Sequence, residues 1–326
     1  MSQRGWVFSE AGRYPELQEL PDPVPGTGEV VLEVRAAGLC HSDIGIIEGP
    51  GASWVSALPI VLGHEIAGVV AELGDGAEGF AVGDRVAVSL GPHPFVKGAS
   101  AAFTSPGLAY DGGYEEKVRV STAKLVRIPD TVPFSQAAGA TDSVVTAYHA
   151  VKVTGEVTAG TVVGIIGLGG LGLNAARIAV LLGATVYGVD TKPDVFDTAL
   201  AQGVTATYTD AADLAQHEPD VIFDFAGFGT TTAAAIQAVT RGGLVVLVGL
   251  GVTEATFSTN AIVTRNVELR GSIGGSKQDL VDVYELIASG KLQPLITEIP
   301  FEEIGDGLQR LHQGGVTGRL EAIINP

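Results

Sequence analysis

The sequence predicts an α/β chain of two domains, one β-rich and irregular, the other a doubly wound parallel sheet. Three observations carry that reading. The 326 residues are enough for about two domains, each burying its own core without staples. From Trp6 to Val120 the signals are short β-branched runs between glycine and proline. From Thr161 onward, buried-strand runs alternate with helical ones, the pattern of a parallel sheet. The boundaries fall at 1–143 with 274–326 for the first domain and at 144–273 for the second.

Composition narrows the partners. With 46% apolar residues and only 17% charged ones, the chain is too apolar to stay disordered. Its 45 glycines fit many tight turns. A formal net charge of -18 repels polyanions, so neither nucleic acid nor an anionic membrane is an expected partner. The most apolar region, Val162 to Val189, is broken by seven glycines, Asn174 and Arg177, and reads as strand, helix and strand instead of a membrane span. A single cysteine is too few for a disulfide framework and points to a reducing cytoplasm. The opening from Met1 to Trp6 shows no apolar signal core.

In the first domain, the segments Glu29 to Arg35, Ile66 to Glu72 and Asp84 to Val88 read as strands, with turns such as Pro21 to Gly26 and Gly74 to Gly76 at their ends. Between the first two lies Gly38-Leu39-Cys40-His41-Ser42-Asp43. A lone cysteine serves through burial, reactivity or metal binding. A proline-led strand, Pro59 to Leu62, then turns at Gly63-His64-Glu65, which alone would read as a solvated turn. Taken together, a thiolate and an imidazole from separate loops form a mixed ligand set that zinc accepts. From Phe134 to Tyr148 the sequence reads as the start of a helix, with Asp142 a candidate cap for the stretch through Val151.

The second domain opens on the strand Val162 to Ile166, followed by Gly167-Leu168-Gly169-Gly170-Leu171-Gly172 and a helix from Asn174 to Leu182. Gly167-x-Gly169-x-x-Gly172 permits a tight turn, close backbone approach to a pyrophosphate, and close packing of helix on strand. A second strand, Ala184 to Asp190, ends in an acid at about the expected ~20 residues. Asp190 should accept hydrogen bonds from the adenosine ribose and repel a 2′-phosphate, favouring NAD over NADP, while Lys192 softens that repulsion. Strand signals at Val221 to Phe225, Leu244 to Val248 and Val267 to Arg270 complete the sheet. Beyond it, Leu280, Val283, Tyr284 and Ile287 recur at helical spacing before Gly290.

Gly38-x-Cys40-His41-Ser42-Asp43 followed by Gly63-His64-Glu65-x-x-Gly68-x-x-x-x-x-Gly74 resembles the zinc-dependent medium-chain alcohol dehydrogenases. The likeness implies a GroES-like catalytic domain beside a Rossmann domain that binds NAD. It makes Cys40 and His64 ligands of a catalytic zinc, Ser42 the hydroxyl that takes the alcohol proton, Asp43 the partner of His64, and Glu65 a carboxylate that can approach the metal. Asp142 stands where many members have a cysteine as third ligand; helix cap, ligand, or a yielding of that place to Glu65 all stay open. By the same likeness His41 lies near the cofactor phosphates. Thr146, Leu171 and the backbone at Val248 and Gly249 touch the nicotinamide, and Arg319 reaches the pyrophosphate.

The sequence departs from the family twice. No cysteines stand between Leu90 and Tyr114, so one catalytic zinc and no structural one is expected, and His93 reads as a loop residue. Gly45 replaces the histidine that often completes the proton relay. The implied activity is hydride transfer between an alcohol, secondary or cyclic, and NAD in a cytoplasmic homodimer or homotetramer. A reductase of enones or larger carbonyl compounds and a non-catalytic nucleotide-binding protein are the alternatives. Trp54, Phe95 and Tyr114 are either pocket walls or core.

Overall fold

A computed structural model describes residues 2–91 and 104–326; His93 and Phe95 lie outside the described residues. The strands, in chain order, are β1 (Ser2–Phe8), β2 (Glu16–Pro21), β3 (Glu29–Leu39), β4 (Ile60–Val61), β5 (Glu65–Leu73), β6 (Arg85–Val88), β7 (Lys117–Ser121), β8 (Leu125–Arg127), β9 (Val162–Ile166), β10 (Thr185–Val189), β11 (Ala206–Tyr208), β12 (Val221–Asp224), β13 (Leu244–Leu247), β14 (Glu268–Gly271), β15 (Ile296–Pro300) and β16 (Arg319–Ile323). The α-helices are α1 (His41–Glu48), α2 (Phe134–Gly139), α3 (Val145–Tyr148), α4 (Gly170–Leu181), α5 (Phe196–Ala201), α6 (Thr230–Ala238), α7 (Thr259–Arg265), α8 (Lys277–Ala288) and α9 (Ile304–His312). The chain forms two compact units, residues 1–142 with 275–326 and residues 143–274. No helix among the described residues is long and apolar enough to cross a membrane.

The first unit is organised around β3. One edge of this long strand pairs antiparallel with β5 along most of its length. The other edge is shared, β7 pairing with Glu29 to Glu33 and β16 with Ala36 to Leu39. That second pairing explains why the strand runs beyond Arg35, where the sequence signal stopped. Ala36, Ala37 and Gly38 have little intrinsic strand preference, and cross-strand partners hold them extended. One face of β3, β5 and β16 supplies Leu39, Ile66 and Leu320 to an apolar core that also takes Phe8, Ile46 and Tyr114. Burying each large apolar side chain contributes about 1.5–3 kcal/mol before ordering costs. The opposite face carries Gly38, Glu65, Arg319 and Glu321 and is covered by α2.

The second unit is a six-stranded, all-parallel sheet in the order β11-β10-β9-β12-β13-β14. Ile166, Val189, Ile222 and Val245 pack in its core with Leu214 and Ile236. Helix α4 begins at Gly170, four residues before the expected start. Glycine's poor helix preference made Gly170 to Gly172 read as turn, but a Cβ at Gly172 would collide with the Gly167 carbonyl, so close packing decides the residue there. Gly167 itself sits at φ 88, which side chains rarely adopt.

Candidate metal centre

Cys40 directly follows β3 and is the N-cap of α1. Its backbone N–H donates to Asp43 Oδ2 at 3.0 Å, which ties the first helical turn to the thiol. The sequence reading saw only a loop here, because α1 is a short helix interrupted by Gly45. The expectation that Ser42 and Asp43 flank the ligands gains a geometry: Ser42 Oγ lies 3.3 Å from His64 Nε2. Asp43 is fully buried, and its Oδ1 lies 3.4 Å from His64 Nδ1 without hydrogen-bond alignment. The Tyr114 hydroxyl donates to Asp43 Oδ2 at 2.8 Å and to the Gly38 carbonyl at 3.1 Å. Tyr114 is therefore core and a holder of Asp43 at once, and Trp54 packs half-buried against the same core.

His64 follows β4 and precedes β5, so its imidazole is fixed by strands on both sides. Burial pulls its pKa down, but Asp43, Asp142 and Cys40 together outweigh burial and hold it well above the usual histidine range. Asp142 arrives from the other direction. The helical path turns from α2 into a π-helical segment, Ala140–Val144, which carries Asp142 in its first turn. Asp142 does not cap the following helix: α3 has Val144 at its N-cap and no side-chain cap bond. Asp142 Oδ2 stands 3.4 Å from Cys40 Sγ and 3.7 Å from His64 Nε2.

Ligand atoms from Cys40, His64, Glu65 and Asp142 all lie within 4.8 Å of one another. Zinc bonds of ~2.3 Å to sulfur and ~2.0 Å to nitrogen or oxygen put tetrahedral ligand atoms about 3.3–3.6 Å apart. The donor set fits zinc on its chemistry, with Asp142 Oδ2 close to that spacing from both Cys40 and His64 and with His64 Nδ1 facing the Asp43 carboxylate at 3.4 Å.

Arg319 occupies a place that sequence reasoning did not foresee. It is buried, its Nε donates to Glu65 Oε2 at 3.2 Å and its NH2 group donates to Glu65 Oε1 and, at 3.0 Å, to Asp142 Oδ2. Two residues on, Glu321 is completely buried, and neither carboxylate oxygen has a hydrogen-bond partner among the described residues. Burial pushes its pKa well above the carboxylate range, with the Arg319 guanidinium opposing and Glu298 and Cys40 adding to the rise. Sequence reasoning missed Glu321. The available signal was two charges, Arg319 and Glu321, alternating with apolar residues on a strand-like run.

In the second unit Asp190 directly follows β10, its Oδ2 accepting from the Leu168 N–H at 2.8 Å and its Oδ1 from the Lys192 N–H at 2.9 Å. The glycine turn and the acid are thus one hydrogen-bonded piece. The first turn of α4 holds no acidic side chain, leaving its N-terminal amides suited to an anion. His41 is exposed on the first turn of α1, and Thr146 is buried in α3.

Comparison with known proteins settles the family. Residues 26–130 match the family described as alcohol dehydrogenase GroES-like domain, and residues 170–289 match zinc-binding dehydrogenase. An alcohol dehydrogenase from Geobacillus stearothermophilus is 31% identical over 323 residues, covering 94% of this chain and 95% of the relative. The chain belongs to the zinc-type medium-chain dehydrogenase/reductase family. As a member of this alcohol dehydrogenase family it is an oxidoreductase. A family member from Sulfurisphaera tokodaii, named as an NAD-dependent alcohol dehydrogenase, is 30% identical over 97% of this chain and 98% of its own length. Among solved structures, acetophenone reductase from Geotrichum candidum in complex with NAD superposes with a TM-score of 0.89 at 31% identity, covering 99% of this chain and 97% of that one.

Proposed function

We propose that this protein is a zinc-dependent, NAD-linked alcohol dehydrogenase that interconverts a secondary or cyclic alcohol and its ketone. One observation carries the reading: four ligand groups lie within 4.8 Å of one another, and the Ser42 hydroxyl lies 3.3 Å from the His64 Nε2 that belongs to them. Bound zinc would supply Lewis acidity that lowers the pKa of a hydroxyl, and bound NAD would supply the hydride acceptor. Cys40, His64 and Asp142 would hold the metal. Asp142 is the preferred third ligand because its Oδ2 lies near both others. Cys40 and Asp142 each bring one negative charge, which balances a divalent ion.

Ser42 accepts the proton released by the substrate hydroxyl, and with Gly45 offering no relay group the proton leaves through the neighbouring exposed His41, water or the cofactor ribose. Asp43, clamped by Tyr114 and the Cys40 N–H, keeps the His64 ring oriented. The glycine turn and the start of α4 would receive the pyrophosphate, and Asp190 the adenosine ribose, so that its charge disfavours a 2′-phosphate. Arg319 in contact with the cofactor, Leu171 and Val248 beside the nicotinamide, a single zinc per subunit, and a cytoplasmic homodimer or homotetramer acting on a small molecule complete the reading.

The test is direct. Purified protein should hold one zinc per subunit and oxidise NADH in the presence of aliphatic, cyclic or aryl ketones, with NADPH the poorer donor. Cys40→Ala should lose both zinc and turnover, and Asp142→Asn should lower the zinc content. Turnover of enones but not ketones would remove the alcohol dehydrogenase assignment, and undiminished zinc in Asp142→Asn would hand the third position to Glu65.

A further inference from the structure

The register of the first sheet sets three residues in a row. Glu321 on β16 pairs with Gly38 on β3, and Gly38 pairs with Glu65 on β5. Directly paired residues present their side chains on one face, so the two glutamates reach over a position that has no side chain. A Cβ at Gly38 would meet both carboxylates, with Glu321 Oε1 at 2.9 Å, and a Cβ at Gly139 would meet the same oxygen at 2.5 Å. Glycine on both sides leaves room for the Glu321 carboxylate and brings no donor to it.

Arg319 lies on the same strand and face as Glu321. Its guanidinium is committed to Glu65 and Asp142, and the Asp142 oxygen it holds at 3.0 Å is the same Oδ2 that lies 3.4 Å from Cys40 Sγ and 3.7 Å from His64 Nε2. A metal bound between Cys40 and His64 would meet the same oxygen that the guanidinium holds. Meanwhile Glu321, fully buried, has two acceptor oxygens without a donor. A buried carboxylate kept without a partner calls for an explanation.

We propose that Glu321 is a positioning residue of the metal centre, the second seat of the Arg319 guanidinium, which moves from Asp142 to Glu321 when a divalent cation takes Cys40, His64 and Asp142. The inference rests on the metal-centre reading above. It gives the site two cationic states: guanidinium across Glu65 and Asp142, or metal on Asp142 with the guanidinium beside Glu321. Glu321 acts on the metal only through Arg319.

Zinc affinity, measured by competition with a chelator, tests this separately from activity. Glu321→Gln should weaken zinc binding by about tenfold, the lower range for a group behind the ligands, with an unchanged Co(II) absorption spectrum because the ligands are the same. In an Arg319→Gln background, the same Glu321→Gln change should alter affinity less than about twofold. An equal tenfold loss in both backgrounds would mean that Glu321 acts on the metal through space and would overturn the proposal, as would full affinity in Glu321→Gln. Should Arg319→Gln not fold, a crystal structure of the zinc-loaded wild-type protein gives the answer. A guanidinium nitrogen within ~3.2 Å of Glu321 is expected, and one still on Asp142 Oδ2 overturns the proposal. A folded wild-type protein that binds no zinc would instead remove the metal-centre reading itself.

Discussion

Buried carboxylates are treated in opposite ways in the two units. In the second, Asp224 at the end of β12 accepts from the Ala226 and Gly227 N–H groups and from the Thr231 and Thr232 hydroxyls, four donors for one anion. In the first, Glu65 and Asp142 share one guanidinium, while Asp43 Oδ1, His64 Nδ1 and both oxygens of Glu321 are buried without hydrogen bonds. A charge surrounded by donors holds a turn together and needs nothing more. A cluster of acids short of donors is relieved by a proton or by a further cation, and a metal site supplies the second.

The largest effect that sharpens this contrast is at Ser42. Ser42→Ala leaves every ligand in place, so zinc content and NADH binding should stay at wild-type levels while the rate at neutral pH falls about 10² to 10⁴ fold. Steady-state turnover beside metal analysis checks it, and unchanged turnover would remove Ser42 from the proton path. Next comes Asp224→Asn. Replacing an acceptor-only carboxylate by an amide turns one oxygen toward its donors into an N–H, costing about 1–3 kcal/mol of stability. The variant should melt earlier by calorimetry yet keep its zinc, because this acid is structural; a fall in zinc content would break the distinction.

How much of this was readable in advance differs by residue. Cys40, His64 and Asp142 were singled out from the sequence, and the structure brings them together. The strand and helix alternation after Thr161 was legible because each parallel strand is a continuous apolar run, so its identity does not depend on distant partners. The end of β3 was not legible, because Ala36 to Gly38 are held extended by β5 and β16, and the latter lies at Arg319–Ile323, near the other end of the chain. The same distance hid the contacts of Arg319 with Glu65 and Asp142, which the resemblance that makes it a cofactor contact does not include. Glu321 was overlooked because its meaning comes from Gly38 opposite, a pairing that no local window contains. The π-helical turn at Asp142 has no sequence signature of its own, so the sequence favoured a ligand there but kept the cap open, and α3 takes Val144 as its N-cap instead.

The last effect concerns a buried carboxylate that belongs to neither pattern. Glu115 is buried and accepts a hydrogen bond from Gln3 Nε2, at 3.0 Å, on β1. Burial pushes its pKa up to about 9, Asp111 adds to the rise and the Gln3 hydrogen bond opposes it. In the unfolded chain the same group ionises near its ordinary value of 4.5. Below that pH both states carry the proton and nothing is lost. As pH rises from there toward 9 the unfolded chain releases the proton and the folded one keeps it, so stability falls by up to ~1.4 kcal/mol per pH unit. Glu115→Gln retains the hydrogen bond from Gln3 and cannot ionise. In denaturant unfolding its stability relative to wild type should therefore be higher at pH 8 than at pH 5. An equal difference at the two pH values would show that Glu115 is ionised in the folded protein, and would move it to the side of the acids that wait for a cation.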